Sequence, residues 1–191
     1  HIHSMQVMGQ WVEDVPEYAI SLGREFWPGP MTLIFKRSSL AQDFITGGQE
    51  TVGIRVPNHA IALSLLETFH DLGGRGIAAP SANRFGAISP TLASDVKEEL
   101  GDFLNPTDLI LDGGESVLGI ESTIINCIND TPNILRPGAI TNIQIKNICE
   151  QIKKDYVGNT NHKFIESLIL NYTPDKRNEL IINICNINNI I

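Results

Sequence analysis

The sequence predicts an α/β domain with a mixed sheet, because short apolar segments of strand length alternate with segments of helical periodicity. Gly and Pro residues separate these segments, and polar side chains gather at the ends of the predicted strands, where α/β proteins usually build their sites. The predicted strands, in chain order, cover residues 31–36, 51–56, 76–79, 109–111, 123–128 and 134–135.

The first helices are predicted from apolar spacing and from the residues that begin or end them. Tyr18, Leu22 and Phe26 recur at helical spacing, and the run Pro28-Gly29-Pro30 ends that helix. Asn58 is the predicted N-cap of a second helix, which has apolar residues at positions 61, 65, 66 and 69.

Two later helix starts and a change in composition complete the outline. Asp95 and Glu98 have the spacing of reciprocal capping, and Thr141 and Gln144 form a capping box that opens a helix with apolar residues at 145, 148, 149 and 152. Ile and Asn dominate the composition after residue 141. We therefore expect a compact domain over residues 1–141 and a C-terminal extension over residues 142–191.

The charge balance disfavours a protein that mainly binds nucleic acid, because phosphate contacts need clustered Lys and Arg. The 191 residues carry a formal net charge of −8, and 42% of them are hydrophobic, which is enough for a packed core. No apolar run approaches the roughly 20 residues that a membrane span needs, so we expect no contact with a membrane.

Cysteine and histidine usage predicts neither a disulfide framework nor a metal site. Cys127, Cys149 and Cys185 lie far apart and form no Cys-x-x-C pair. We interpret them as buried or incidental thiols of a reducing compartment, which makes the cytoplasm the expected location. The five histidines show no partners at the spacing of metal ligands.

Two loops next to predicted strands carry candidate binding groups. The segment 76–79 leads into Pro80-Ser81-Ala82-Asn83, and Ser89-Pro90-Thr91 adds two hydroxyl groups. Residues 112–114 and 119–123 form a Gly-rich loop whose backbone can approach an anion. Ordinary Ser/Asn turns and Gly-rich turns account for the same residues, so each loop is weak evidence by itself.

Two arginines are stronger candidates for anion binding. Arg55 lies inside an apolar strand, where a charge is costly unless it is paired. Arg136 is held at a strand end by the Pro137-Gly138 turn. Guanidinium groups bind carboxylates and phosphates through paired hydrogen bonds. A salt bridge to a carboxylate of the protein is the alternative for each arginine.

Seven motifs occur in the order and spacing of a known family. They are Trp27-Pro28-Gly29-Pro30-Met31-Thr32, Val52-Gly53-Ile54-Arg55-Val56-Pro57, Ala79-Pro80-Ser81-Ala82-Asn83, Ser89-Pro90-Thr91, Asp112-Gly113-Gly114, Gly119-Ile120-Glu121-Ser122-Thr123-Ile124 and Leu135-Arg136-Pro137-Gly138-Ala139-Ile140. By these motifs the chain resembles the YrdC-like family of threonylcarbamoyl-AMP synthases over about residues 1–141. The resemblance implies a YrdC-like fold, in which a twisted mixed sheet with flanking helices forms a concave cleft.

The resemblance also implies a reaction and its partners. L-threonine, bicarbonate and ATP would give threonylcarbamoyl-AMP and pyrophosphate, with Mg²⁺ carried on the nucleotide. Separate threonylcarbamoyl transferase proteins would then modify an adenosine beside the tRNA anticodon, so this chain needs no direct grip on tRNA. No residue is assigned as a nucleophile or as an acid or base, because positioning and electrostatic stabilisation suffice for this chemistry.

The family's site residues carry over position by position. The resemblance assigns four residues to L-threonine, namely His1, Arg55, Ser81 and Ser122. It assigns five residues to ATP, namely Thr51, Asn83, Thr91, Arg136 and Tyr172. Arg55 is expected on the threonine carboxylate and Arg136 on phosphate.

The resemblance further predicts that the chain is incomplete at both ends. Family members begin with Pro-Thr-Glu-Thr-x-Tyr-Gly-Leu and Lys-x-Arg-Pro-x-x-Asn-Pro segments that line the cleft, and this sequence contains neither. Residues 142–191 correspond to a linker and the truncated start of a second domain. We therefore expect this chain alone to bind ATP and threonine weakly and to form no detectable threonylcarbamoyl-AMP.

Three other interpretations remain open. The chain could be a non-catalytic YrdC-like module that binds nucleotide or RNA, although its low content of basic residues disfavours RNA. It could be the YrdC-like domain of a hydrogenase-maturation carbamoyltransferase, which carries zinc fingers ahead of that domain, although no Cys-x-x-C pair is present. It could also be a decayed gene product, as the Ile/Asn-rich tail allows.

Overall fold

The computed structural model describes residues 1–116 and 121–155, with side chains up to residue 152. Its helices are α1 (Glu17–Phe26), α2 (Asp43–Thr46), α3 (Ala60–Asp71), α4 (Ala93–Leu100) and α5 (Asn142–Asp155). Its strands are β1 (Val12–Glu13), β2 (Met31–Arg37), β3 (Thr51–Ile54), β4 (Thr123–Asn126) and β5 (Asn133–Arg136). Two short 3₁₀ helices cover Met5–Gln10 and Gly101–Phe103. Tyr172 and Cys185 lie outside the described residues.

The strands form one twisted mixed sheet centred on β2. This strand pairs antiparallel with β1 and β3 and parallel with β4, which in turn pairs antiparallel with β5. Leu33 of β2 lies opposite Ile54 on one side and Ile125 on the other. The sheet and its flanking helices confirm the predicted α/β class.

The two faces of β2 have different environments because side chains alternate along a strand. Met31, Leu33 and Phe35 are fully buried in a core that includes apolar residues of α1 and α5. Thr32 and Ile34 lie on the opposite face, where they are only partly covered. One face of the sheet therefore holds the domain together, and the other is left open to a cavity.

The first predicted helix is confirmed, and the cap of the second is wrong by one residue. The amide of Trp27 donates to Gly23 at 3.0 Å and closes the last turn of α1, after which the backbone is extended. At the start of α3 the N-cap is His59 rather than Asn58, and its Nδ1 accepts from the amide of Ala62 at 3.4 Å. The His59 ring also contacts the Gly113 carbonyl, a tertiary contact that favours this residue as the cap.

The two later helix starts differ in outcome. The reciprocal capping predicted for Asp95 is wrong, because α4 begins at Ala93 after Leu92 and Asp95 lies in its first turn. A carboxylate there is still favourable beside the positive end of the helix dipole. The Thr141–Gln144 box is confirmed, with Thr141 N donating to Gln144 Oε1 at 2.9 Å. None of the helices described is long and apolar enough to cross a membrane.

Two predicted strands are absent from the sheet. Residues 76–79 form no strand, because Ile77 exchanges backbone hydrogen bonds with His1 and not with a sheet strand. Residues 109–111 form no strand either, and Leu109 is 91% exposed. An apolar triplet without a neighbouring strand to pair with gains no ladder hydrogen bonds.

The two described cysteines agree with the interpretation as buried thiols. Cys127 and Cys149 are both buried and belong to the apolar core. Burial raises the pKa of the Cys127 thiol to about 12. The thiol therefore stays protonated near neutral pH and is a poor nucleophile.

Candidate functional site

A cavity of about 750 Å³ lies on the open face of the sheet. Its floor includes Thr32 and Ile34 of β2, Gly53 of β3 and Ile124 of β4. The segment from Gly76 to Ser81 forms another part of its lining. Volumes of this size are typical of small-molecule sites, and a mostly apolar floor with a few polar groups is their usual composition.

The structure brings six of the nine predicted site residues to this cavity. They are His1, Thr51, Arg55, Ser81, Ser122 and Arg136. They come from the first residue of the chain, β3 and the residue after it, the segment after residue 80, the residue before β4 and the end of β5, so only the fold places them together.

The other three predicted residues lie elsewhere. Asn83 is in a turn, where its amide donates to the carbonyls of Arg84 at 2.9 Å and Ala87 at 3.0 Å. Thr91 lines a separate, smaller cavity of about 180 Å³. Tyr172 falls outside the described residues. The roles assigned to these three residues remain predictions.

Arg55 is the cation of the cavity that no carboxylate of the described residues neutralises. Its Nε donates to the carbonyl of Gly29 at 3.0 Å, and no Asp or Glu of residues 1–116 or 121–152 forms an ion pair with it. Burial lowers the pKa of this guanidinium, and the charge of Arg136 lowers it further. A desolvated cation that lacks a counter-ion favours binding of an anion.

Arg136 has a different environment although it lines the same cavity. Its Nε and Nη2 both donate to the Ser122 carbonyl, at 3.1 and 2.9 Å, and Nη1 pairs with Glu121. Glu121 also accepts from Ser89 Oγ at 3.3 Å. Arg136 therefore forms the salt bridge to a protein carboxylate that was the alternative to anion binding, whereas Arg55 forms none with the described residues.

The Pro137-Gly138 turn sets Arg136 against the start of β4. A Cβ on Gly138 would lie 2.6 Å from the Ser122 carbonyl carbon and 2.5 Å from the Thr123 nitrogen, so only glycine allows this approach. The amide of Ala139 donates to the Glu121 carbonyl at 3.3 Å and completes the contact.

Sequence reasoning did not single out Thr32 and Glu121 as site residues, although both stand in motifs that carried the resemblance. Thr32 Oγ1 lies 3.2 Å from Ser122 Oγ on the cavity floor. The available signal was the single hydroxyl group within the apolar run of β2. Alternation along the strand places this hydroxyl on the face opposite Met31 and Leu33. Glu121 gave no such signal, since its partner depends on the fold.

No metal centre is formed by the residues that the structure describes. Within residues 1–116 and 121–152, no group of three or more His, Cys, Asp or Glu side chains is arranged to hold an ion. The polar side chains of the cavity carry guanidinium and hydroxyl groups, the His1 imidazole, the Trp11 indole and one carboxylate. This set suits an anionic organic ligand better than a bare cation.

Comparison with known proteins identifies the family. The family model Sua5_yciO_yrdC, described as "Telomere recombination", matches residues 1–138. The chain belongs to this family. Threonylcarbamoyl-AMP synthase of Pyrococcus abyssi (strain GE5 / Orsay) is 42% identical over 153 residues, which are 80% of this chain and 43% of that protein. The Bacillus subtilis (strain 168) protein of the same name is 39% identical over 81% of this chain and 43% of its own length.

Solved structures of the family share the fold. The P. abyssi Sua5 structure complexed with L-threonine superposes with a TM-score of 0.71 at 40% identity, over 78% of this chain and 42% of that chain. E. coli YciO gives a TM-score of 0.58 at 26% identity, over 71% of this chain and 63% of that chain. The chain thus spans less than half the length of the two synthases and of the threonine complex.

Proposed function

We propose that the chain forms the L-threonine- and ATP-binding part of a threonylcarbamoyl-AMP synthase, which converts L-threonine, bicarbonate and ATP to threonylcarbamoyl-AMP and pyrophosphate. The observation that carries the proposal is Arg55, a partly buried cation in the cavity wall with no carboxylate partner among the described residues. The relatives named threonylcarbamoyl-AMP synthase and the L-threonine complex of P. abyssi Sua5 support it.

In this proposal Arg55 binds the carboxylate of L-threonine. Its Nε is held by Gly29, which leaves the two terminal nitrogens to form paired hydrogen bonds with both carboxylate oxygens. His1, Ser81 and Ser122 line the same cavity and complete the amino-acid site. The threonine amine captures bicarbonate or CO₂ as a carbamate, whose oxygen attacks the α-phosphate of ATP while pyrophosphate leaves.

The nucleotide occupies the other part of the cavity. Thr51 and Arg136 line it, and Arg136 meets phosphate charge once Glu121 is displaced. Asn83, Thr91 and Tyr172 are proposed as further ATP contacts, and the segments that carry Asn83 and Thr91 would close on the nucleotide. Mg²⁺ arrives on the phosphates, which supply its oxygen ligands. Holding the reactants together is the main catalytic contribution.

The remaining proposals concern the domains of the chain, the later transfer to tRNA and the location of the protein. Residues 1–141 form the catalytic domain, and residues 142–191 form a linker and the start of a second domain, although α5 already packs Ile145 and Cys149 into the core of the first. Separate transferases pass the threonylcarbamoyl group to tRNA, which fits a net charge of −8 and the absence of any need for a tRNA grip. The location proposed for the protein is the cytoplasm.

Isothermal titration of the 191-residue chain with L-threonine tests the proposal. We expect saturable binding that Arg55→Ala weakens by at least about 30-fold, because truncating one partner of a buried charge pair costs about 2–5 kcal/mol. Arg24→Ala is the matched control, since Arg24 is an exposed cation of α1 and should leave the affinity unchanged.

Three results would contradict the proposal or redirect it. Absence of threonine binding, or equal binding by Arg55→Ala and the wild type, removes the carboxylate assignment. Binding of ATP without any binding of threonine favours the alternative of a non-catalytic nucleotide-binding module. A shifted RNA band that weakens with salt favours the RNA-binding alternative.

A further inference from the structure

Four polar side chains form a row on the cavity side of the sheet, running from the residue after β3 through β2 and the residue before β4 to the end of β5. They are Arg55, Thr32, Ser122 and Arg136. The two outer members are cations, and the two inner members are hydroxyl groups whose oxygens lie 3.2 Å apart. The ends of this row suit anions, whereas its centre suits a neutral hydrogen-bonding group.

The hydroxyl groups of Thr32 and Ser122 carry two protons, and the described residues offer a hydrogen-bond acceptor for only one of them. Arg136 can only donate, so the 3.0 Å hydrogen bond from its Nη2 uses a lone pair of Ser122 Oγ. The contact between Thr32 and Ser122 uses one of the two hydroxyl protons, whichever residue donates it. The other proton has no acceptor among the described residues. The pair therefore presents one O–H donor on the cavity floor.

Aliphatic groups lie beside this hydroxyl pair on the cavity floor. Thr32 Cγ2 would lie 3.2 Å from a Cβ built on Gly53, so the methyl group of Thr32 faces β3 and its hydroxyl faces Ser122 on the β4 side. Ile124 of β4 lies opposite Thr32 in the sheet, Ile34 lies two residues further along β2, and both line the cavity. A single donor next to aliphatic surface complements a ligand group in which a hydroxyl oxygen and a methyl share one carbon.

We propose that Thr32 is a specificity-determining residue, and that the Thr32–Ser122 hydroxyl pair donates a hydrogen bond to the β-hydroxyl oxygen of L-threonine. The inference rests on the proposed function and deepens it. Arg55 holds the carboxylate at one end of the row, the hydroxyl pair binds the side-chain oxygen in the middle, and the isoleucines contact the methyl group. The site thereby distinguishes threonine from amino acids of the same shape that lack the hydroxyl.

The test compares L-threonine with L-2-aminobutyrate, which has the same carbon skeleton without the hydroxyl, by isothermal titration of the 191-residue chain. Thr32→Val removes the hydroxyl and keeps the shape, whereas Thr32→Ser keeps the hydroxyl. Ser122 keeps its own proton in Thr32→Val, but the 3.2 Å contact that orients its hydroxyl group is lost. We therefore expect the wild type to prefer threonine and Thr32→Val to lower the affinity for threonine about 3- to 10-fold, as loss of one neutral hydrogen bond predicts. Its affinity for L-2-aminobutyrate should stay unchanged, and Thr32→Ser should retain the preference.

Every other outcome overturns the inference. Equal weakening of both ligands by Thr32→Val would show a structural role only. Unchanged threonine affinity in Thr32→Val, or a wild type without preference, would show that the pair does not bind the β-hydroxyl. In those cases the proposed function stands as long as the wild type binds threonine through Arg55. A wild type that binds neither amino acid overturns both proposals.

Discussion

The two faces of the central sheet are made by the same strands and serve opposite purposes. On one face Leu33, Phe35 and Ile125 are fully buried against apolar residues of α1 and α5. On the other face Thr32 and Ile34 line a cavity of about 750 Å³. Alternation along β2 therefore places Leu33 and Phe35 in the core and Thr32 and Ile34 at the cavity, so neighbours in sequence have different environments.

The difference also explains where charge is tolerated. Among the residues that the structure describes, the core face buries no charged side chain, whereas the cavity face holds Arg55 and Arg136. Burial lowers the pKa of Arg55, and the charge of Arg136 lowers it further. Such an arrangement costs free energy in the empty protein and is favourable once an anion binds. The cavity face therefore carries a cost in stability that the core face does not.

The largest expected effect is on stability and separates the two faces directly. Leu33→Ala should lower the free energy of unfolding by about 2–5 kcal/mol, because it removes a fully buried side chain and leaves a cavity in the core. Ile34→Ala, one residue along the same strand, should cost clearly less because Ile34 already borders the cavity. Urea denaturation of both variants measures the difference, and equal losses would contradict the assignment of the faces.

The second-largest effect is expected at the Pro137-Gly138 turn, which packs against the start of β4. Gly138→Ala would bring a Cβ within 2.6 Å of the Ser122 backbone, so the end of β5 must move away from β4. We expect a loss of about 1–3 kcal/mol in the free energy of unfolding, as in other overpacked sites. Because Arg136 and Ser122 are displaced, threonine affinity measured by titration should fall as well.

Gly101→Ala is the matched control for this variant. A Cβ on Gly101 meets nothing within 4 Å, and its φ of −52° is one that any residue adopts. This substitution should leave threonine affinity unchanged and should be neutral or slightly stabilising. If Gly138→Ala behaved in the same way, the close packing of the turn on the Ser122 backbone would not be what positions the site.

The sequence predicted those parts of the fold that depend on local patterns. Alternation in β2, the spacing of Tyr18, Leu22 and Phe26, and the Thr141–Gln144 box are all local, and the structure has each of them. The strands predicted for residues 76–79 and 109–111 were wrong because a strand needs a neighbouring strand with which to pair. A partner is set by tertiary structure, and the apolar composition of these segments carried no information about it.

The candidate site shows the same limit. Motif order identified Arg55, Ser122 and Arg136, and the fold brings all three to one cavity. The sequence could not show that Arg136 pairs with Glu121, since two residues 15 positions apart meet only after β4 and β5 have paired. Nor could it show that the side-chain nitrogen of Asn83 donates to the carbonyls of its own turn.

The smallest expected effect concerns the paired arginine of the cavity. Glu121→Gln removes the carboxylate that pairs with Arg136, so an incoming phosphate no longer competes with an internal anion. The pair is partly exposed, with 52% of the Glu121 side chain accessible, and such pairs contribute at most about 1 kcal/mol. We therefore expect ATP to bind up to about five-fold more tightly to Glu121→Gln in isothermal titration, with threonine affinity unchanged.

Glu150→Gln controls for the loss of one negative charge, because Glu150 pairs with Lys146 on α5, whose buried residues pack into the core on the far side of the sheet. It should leave ATP affinity unchanged. Weaker ATP binding in Glu121→Gln would mean that the carboxylate orients Arg136 for the phosphate and does not compete with it. In that case the Glu121–Arg136 ion pair would hold the cavity residues in their binding geometry, as apolar packing holds the core residues in place. The two faces would then be more alike than the charges of their side chains indicate.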